Sequence, residues 1–244
     1  MTYDASPMPR TAGSPAAPVL TLPEELLLLA LDPKRGKPSC EADSLAYGTA
    51  GAALAELELQ GRIREERGRV QVVDPLDPAD PRLAALLRTL DAPAKGRRSG
   101  IRARRWVNDH DRHVQEMYLD SLVERSFLSR ETRRFLGLFP HHRHFPGVPD
   151  LAPGVRERFE AAEAAGYPDR RDRVLAALVS AIGLAGELTR NGRSGRTAMK
   201  VLRRTEWTAV AVRHNVKQNA SGGGGGDDWS DGGGGGSSCG GGGD

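Results

Sequence analysis

Residues 21–60 read TLPEELLLLALDPKRGKPSCEADSLAYGTAGAALAELELQ, and their reading decides the class of fold. Thr21 is a helix-capping residue and Pro23 suits a first helical turn. Glu24 stands three residues past the cap, where its carboxylate can reach back to the Thr21 amide. The apolar block 26–31 follows, and Asp32-Pro33 ends it. Residues 33–40 make a loop. A second helix over residues 42–60 sets Leu45, Thr49, Ala52, Ala53 and Leu57 on one face, with Gly61 placed to terminate it.

Working outward, residues 63–65 and 70–73 form a β-hairpin across Arg67-Gly68. Leu83, Leu86, Leu87 and Leu90 give a helix over 80–90. Residues 92–100 are a basic loop. Val114, Met117, Tyr118 and Leu122 keep helical period over 101–125, and residues 127–146 (FLSRETRRFLGLFPHHRHFP) form a second hairpin. Helices follow over 152–165 and 169–189. The latter is apolar around much of its circumference, as suits the centre of a bundle. Shorter helices cover 195–204 and 206–217. The class is mainly α with two small β-hairpins.

Residues 1–18 are rich in Pro, Ala and Ser, and residues 221–244 are nearly all Gly with Asp, Ser and Trp229. Neither can bury enough apolar surface to offset its backbone entropy. Both are expected to be disordered extensions of one domain over 19–220.

Hydrophobic residues make up 38% of the 244 and charged residues 27%, as in a soluble globular protein. No apolar run approaches the ~20 residues of a membrane span, and the N-terminus has no secretory pattern. With Cys239 in a glycine tract, Cys40 has no plausible disulfide partner, and a cytoplasmic location is expected. The net charge of +3 is uneven: residues 221–244 carry four aspartates and no basic residue, leaving 35 basic against 28 acidic residues elsewhere. Most of the basic residues are Arg, whose fork grips phosphate oxygens in pairs. The same Arg-rich, Lys-poor composition is typical of a GC-rich bacterial genome.

There is no GxSxG elbow, no P-loop and no GxGxxG after a strand, so neither catalysis nor a cofactor is expected. His141-His142-Arg143-His144 lacks the second ligand pair of a structural metal site, and His110 with His113 lacks an HExxH pattern, so no metal is expected. Basic clusters fall at Arg97-Arg98, Arg102/Arg104/Arg105, Arg133-Arg134, Arg170/Arg171/Arg173 and Arg203-Arg204. Each such side chain near an anionic leaflet contributes about 1 kcal/mol; acidic neighbours make a solvated face the rival reading. Trp106, beside Arg105, suits a lipid interface or the core. Phe135, Leu136, Leu138 and Phe139 are too apolar for a solvated turn. They fit insertion at a bilayer surface, pairing with another subunit, or folding back on the core. Aromatic content of 5% leaves no stacking platform for nucleic acid.

Three blocks, LTLPEELLLLALDPKRGKP (20–38), GTAGAALAELELQGRI (48–63) and LVERSFLSRETRRFLGLFP (122–140), resemble the Golgi phosphoprotein 3 family in order and spacing, with weaker similarity to about residue 216. The resemblance implies a helical bundle core wrapped by amphipathic helices, with a projecting hairpin. It implies a peripheral membrane module that binds phosphatidylinositol 4-phosphate or other anionic head groups, here in a bacterial-type member. Anionic lipid, protein partners and further copies of the chain are the implied partners. The family's pocket tryptophan aligns with Glu41, its second-helix arginine with Ala50, and its arginine pair with Arg112 and Gln115. Only Arg112 keeps the family residue. The rival reading is a scaffold that oligomerises through residues 127–146 without lipid.

Overall fold

Helix α1 (Leu22–Ala30) opens on the capping arrangement read from the sequence. The Thr21 amide donates to Glu24 Oε2 at 2.8 Å, and the Thr21 hydroxyl donates to the same oxygen at 3.0 Å. Every residue of α1 is buried. Helix α2 (Ala42–Leu59) is buried from Ser44 through Leu57. Its glycines explain how close its neighbours come. A Cβ on Gly48 would lie 2.6 Å from Ile182 Cγ2, and one on Gly51 would strike Val212.

The computed structural model describes residues 18–90, 100–135 and 139–222. The expected disordered ends, the Arg97-Arg98 cluster, Leu136 and Leu138 fall outside the described residues, as do the side chains of Arg133, Arg134, Phe135, Phe139 and His141.

Strands β1 (Ile63–Glu66) and β2 (Arg69–Val72) pair antiparallel from Ile63↔Val72 to Glu66↔Arg69. Arg67 and Gly68 both take positive φ, as a two-residue turn matched to strand twist requires. Helix α3 (Pro81–Leu90) follows. The sequence reading put residues 101 and 102 in the next helix; instead they form β3 (Ile101–Arg102), which adds to the free edge of β2. The Arg69 guanidinium holds the Gly100 carbonyl at 2.7 Å, keeping the chain extended until α4 (Ala103–Glu124) begins.

Strands β4 (Leu128–Phe135) and β5 (Phe139–Pro146) form the second hairpin, in register from Leu128↔Pro146 to Phe135↔Phe139. Its base is tied to the loop after α1, where the His144 amide donates to the Gly36 carbonyl at 2.9 Å. Helix α5 (Ala152–Ala164) comes next. The single helix expected over 169–189 is two, α6 (Arg170–Ala181) and α7 (Ala185–Leu188). Gly183 has φ 91, and the Leu184 amide returns to the Val179 carbonyl at 3.0 Å, a Schellman ending that only glycine takes without strain. Two helices close the domain: α8 (Gly192–Thr205) and α9 (Trp207–Gly222).

The core packs α2 against α1, α4 and α9, with α6 against α2, α8 and α9. Hairpin apart, the architecture is the expected mainly α bundle. Among the described residues no helix is long and apolar enough to cross a membrane.

Candidate lipid head-group surface

Arg112 projects from the middle of α4 with its side chain 76% exposed, and its guanidinium lies 3.1 Å from Asp43 Oδ1 in the first turn of α2. The other Asp43 oxygen accepts from the Asn219 side chain at 3.0 Å, so one carboxylate joins α2, α4 and α9. Burial, together with Asp43, holds the Asp111 carboxyl above its usual range against the pull of Arg112. Burial and then Asp111 and Asp43 push the Tyr47 phenol upward. Gln115 is half-buried one turn beyond Arg112, and Glu41 is the exposed N-cap of α2. Ala50 is fully buried in the core, about 13 Å along the helix from Glu41. Asp43 and Asp111 outnumber Arg112, so a phosphate here meets one engaged guanidinium and two carboxylates.

The Arg170/Arg171/Arg173 cluster turns toward the protein. Arg171 reaches Glu56 at 2.9 Å, Glu25 at 3.3 Å and the Leu20 carbonyl at 2.8 Å. Arg170 pairs with Glu58 at 2.7 Å, and Arg173 donates to the Pro168 carbonyl at 2.6 Å. Glu24, fully buried, receives both Arg82, at 2.9 Å, and Arg125. Arg82 also lies over the Tyr118 ring, 4.6 Å from its centroid. Burial raises the Glu25 carboxyl despite Arg171 and Arg158. These arginines compensate buried carboxylates around the start of α1. A cleft of about 980 Å³ opens beside them, with Glu116, Asp120 and Glu124 along one wall.

Trp106 belongs to the core: its indole N–H donates to Thr89 at 2.8 Å and its ring stacks on His110 at 4.7 Å. Nearby, Arg105 pairs with Asp109 at 3.3 Å and Arg104 contacts His214. In the hairpin, His144 is 9% exposed and burial pushes its imidazole down to about 4. No group of three His, Cys, Asp or Glu among the described residues is arranged to hold a metal ion.

Helix α8 differs from these clusters. Its sequence, GRSGRTAMKVLRRT, carries Arg193, Arg196, Lys200, Arg203 and Arg204 and no acid. Gly195 and Met199 are its buried residues, with Leu202 packed against the core. At the helical step of about 100° per residue, all five basic residues fall within an arc of about 100° that starts about 40° from Met199, at Arg203, and runs away from it to Arg204. Arg193, Arg196 and Lys200 are exposed and enter no ion pair or side-chain hydrogen bond among the described residues. Arg203 donates to the Ser180 carbonyl at 3.5 Å. Val201, 55% exposed, borders the stripe. The sequence reading named Arg203 and Arg204 but missed the others, because it looked for adjacent basic residues. Spacing of three and four was the available signal.

Comparison with curated proteins gives no match. The family model of Golgi phosphoprotein 3 matches residues 22–219, which spans the described domain from α1 almost to the end of α9. The chain belongs to the Golgi phosphoprotein 3 family.

Proposed function

We propose that this chain is a peripheral membrane module that adsorbs to anionic lipid surfaces through the basic face of α8, a binding role with no catalytic step. The observation that carries the reading is the α8 stripe, where Arg193, Arg196 and Lys200 have no acidic partner among the described residues. A helix lying flat presents such a stripe to many head groups at once, and exposed Val201 adds apolar contact at its border. Recognition then follows surface charge rather than one phosphomonoester. Asp43 already engages Arg112, and the resemblance aligns an acid, Glu41, with the family's pocket tryptophan.

The test is co-sedimentation with phosphatidylcholine vesicles containing phosphatidylglycerol or, at matched charge, phosphatidylinositol 4-phosphate. The triple variant R193Q/R196Q/K200Q should lose about 3 kcal/mol of adsorption, roughly two orders of magnitude in partitioning. Wild type should bind both anionic vesicles alike, less tightly as salt rises. Equal binding by wild type and the triple variant would overturn the reading.

A further inference from the structure

The basic face of α8 has a complement in this chain. Residues 227–231 read Asp-Asp-Trp-Ser-Asp, in a segment otherwise made almost wholly of Gly and Ser. Residues 223–244 contain four aspartates and no Lys or Arg. They continue directly from α9, which packs against both α8 and α6. The three carboxylates of 227–231 flank one aromatic ring. On α8, three exposed cations, Arg193, Arg196 and Lys200, run beside exposed Val201. The match is therefore in charge, with one apolar group on each side.

Reach permits it. Asp227 is five residues beyond Gly222 and Asp231 nine, so extended chain carries them up to about 17 and 30 Å from the end of α9. Arg193 to Arg204 covers about 16 Å of helix axis, and the 16 residues of α9 cover about 24 Å. The tether also keeps the segment at a high effective concentration near α8, so modest contacts suffice.

We propose that residues 227–231 dock on the basic face of α8 and compete there with anionic surfaces. Asp227, Asp228 and Asp231 lie along Arg193, Arg196 and Lys200, and Trp229 covers Val201 or stacks on a neighbouring guanidinium. The chain thereby carries its own competitor for the face assigned above to membrane adsorption. The competitor role rests on that assignment; the docking itself does not.

Two measurements on the full-length chain test it. The first is Trp229 emission, taken as wild type minus Trp229→Phe. At low salt it should be blue-shifted and shielded from acrylamide. High salt and the triple variant R193Q/R196Q/K200Q should each abolish that shielding. Trp229 as exposed in wild type as in a free 223–244 peptide would overturn the proposal. The second is vesicle binding by D227N/D228N/D231N, which should half-saturate at several-fold lower phosphatidylglycerol than wild type. Identical vesicle titrations of the two binding-competent chains would overturn the competitor role. If neither chain binds vesicles, the membrane reading fails by itself, and shielding of Trp229 still decides the docking.

Discussion

The guanidinium of Arg112 and the carboxylate of Asp43 meet at 3.1 Å between α4 and α2, and Asn219 of α9 holds the other oxygen of the same carboxylate. The exposed arginine of α4 is thus matched by an acid from the neighbouring helix. Replacing Asp43 by Asn should release that charge to solvent. Adsorption to phosphatidylglycerol vesicles should strengthen by about 1 kcal/mol, roughly fivefold. The fold should lose no more than about 1 kcal/mol, because both groups are well exposed. Co-sedimentation and urea denaturation of D43N check the two numbers. The double variant D43N/R112Q should return adsorption to the wild-type level.

Glu24 predicts the opposite balance. It has no solvent exposure and satisfies the Thr21 amide, Arg82 and Arg125 together. Glu24→Gln leaves Arg125 without its counter-charge and Arg82 with Asp80 alone, at 2.7 Å, and should cost about 3 kcal/mol in urea unfolding. Arg88→Ala, which removes an exposed pair with Asp77, should stay within about 0.5 kcal/mol. Similar costs for both variants would mean that the α1 network contributes little.

His144 gives the fold a dependence on pH. Burial, then Arg130 and His142, depress its imidazole to about 4, while Asp120 acts the other way. Glu116 lines the same small cavity of about 260 Å³. In the unfolded chain the imidazole takes a proton near its ordinary value of 6.5. The unfolded state therefore binds more protons between pH 6.5 and 4. Stability is fully present above that window and declines as pH falls through it, by up to about 3 kcal/mol. Urea titrations of wild type and His144→Gln, each near neutral pH and near pH 4, isolate the contribution. The variant should show a smaller acid-dependent loss.

Gly51→Ala tests the close approach of helices. The new methyl meets Val212 and, at 3.3 Å, Leu178 Cδ2. Overpacking should exceed the gain in helix propensity, for a net loss of about 1–2 kcal/mol. A neutral result in thermal or urea unfolding would mean that α9 shifts freely on α2.

Local chemistry explains which elements could be read in advance. Thr21, Pro23 and Glu24 announce the start of α1, and Arg67-Gly68 announces the turn between β1 and β2, because those residues act through their own backbone. Ile101 looks helical in sequence since its strand partner, Val70, lies 31 residues away and supplies hydrogen bonds that periodicity does not report. The run 169–189 looked continuous because Gly183 interrupts no apolar spacing; its φ of 91 is a backbone property. At the candidate surface the limit was pairing. Arg171 and Arg196 are both exposed-looking arginines in the sequence, yet Arg171 bonds to Glu56, 115 residues earlier, and Arg196 meets no acid among the described residues. Charge counting along the chain separates neither.

The attachment of the first helix to distant arginines bears on the order in which the chain is assembled. Leu20 and Glu25 receive Arg171, and Glu25 also receives Arg158. A chain growing from its N-terminus makes α1 long before either arginine exists. Until then Glu25 on this greasy rod has no counter-ion, although Arg82 and Arg125 already serve Glu24. The domain closes on itself only when synthesis has passed residue 171, which leaves most of the polypeptide exposed to chaperones and proteases until the last third is made.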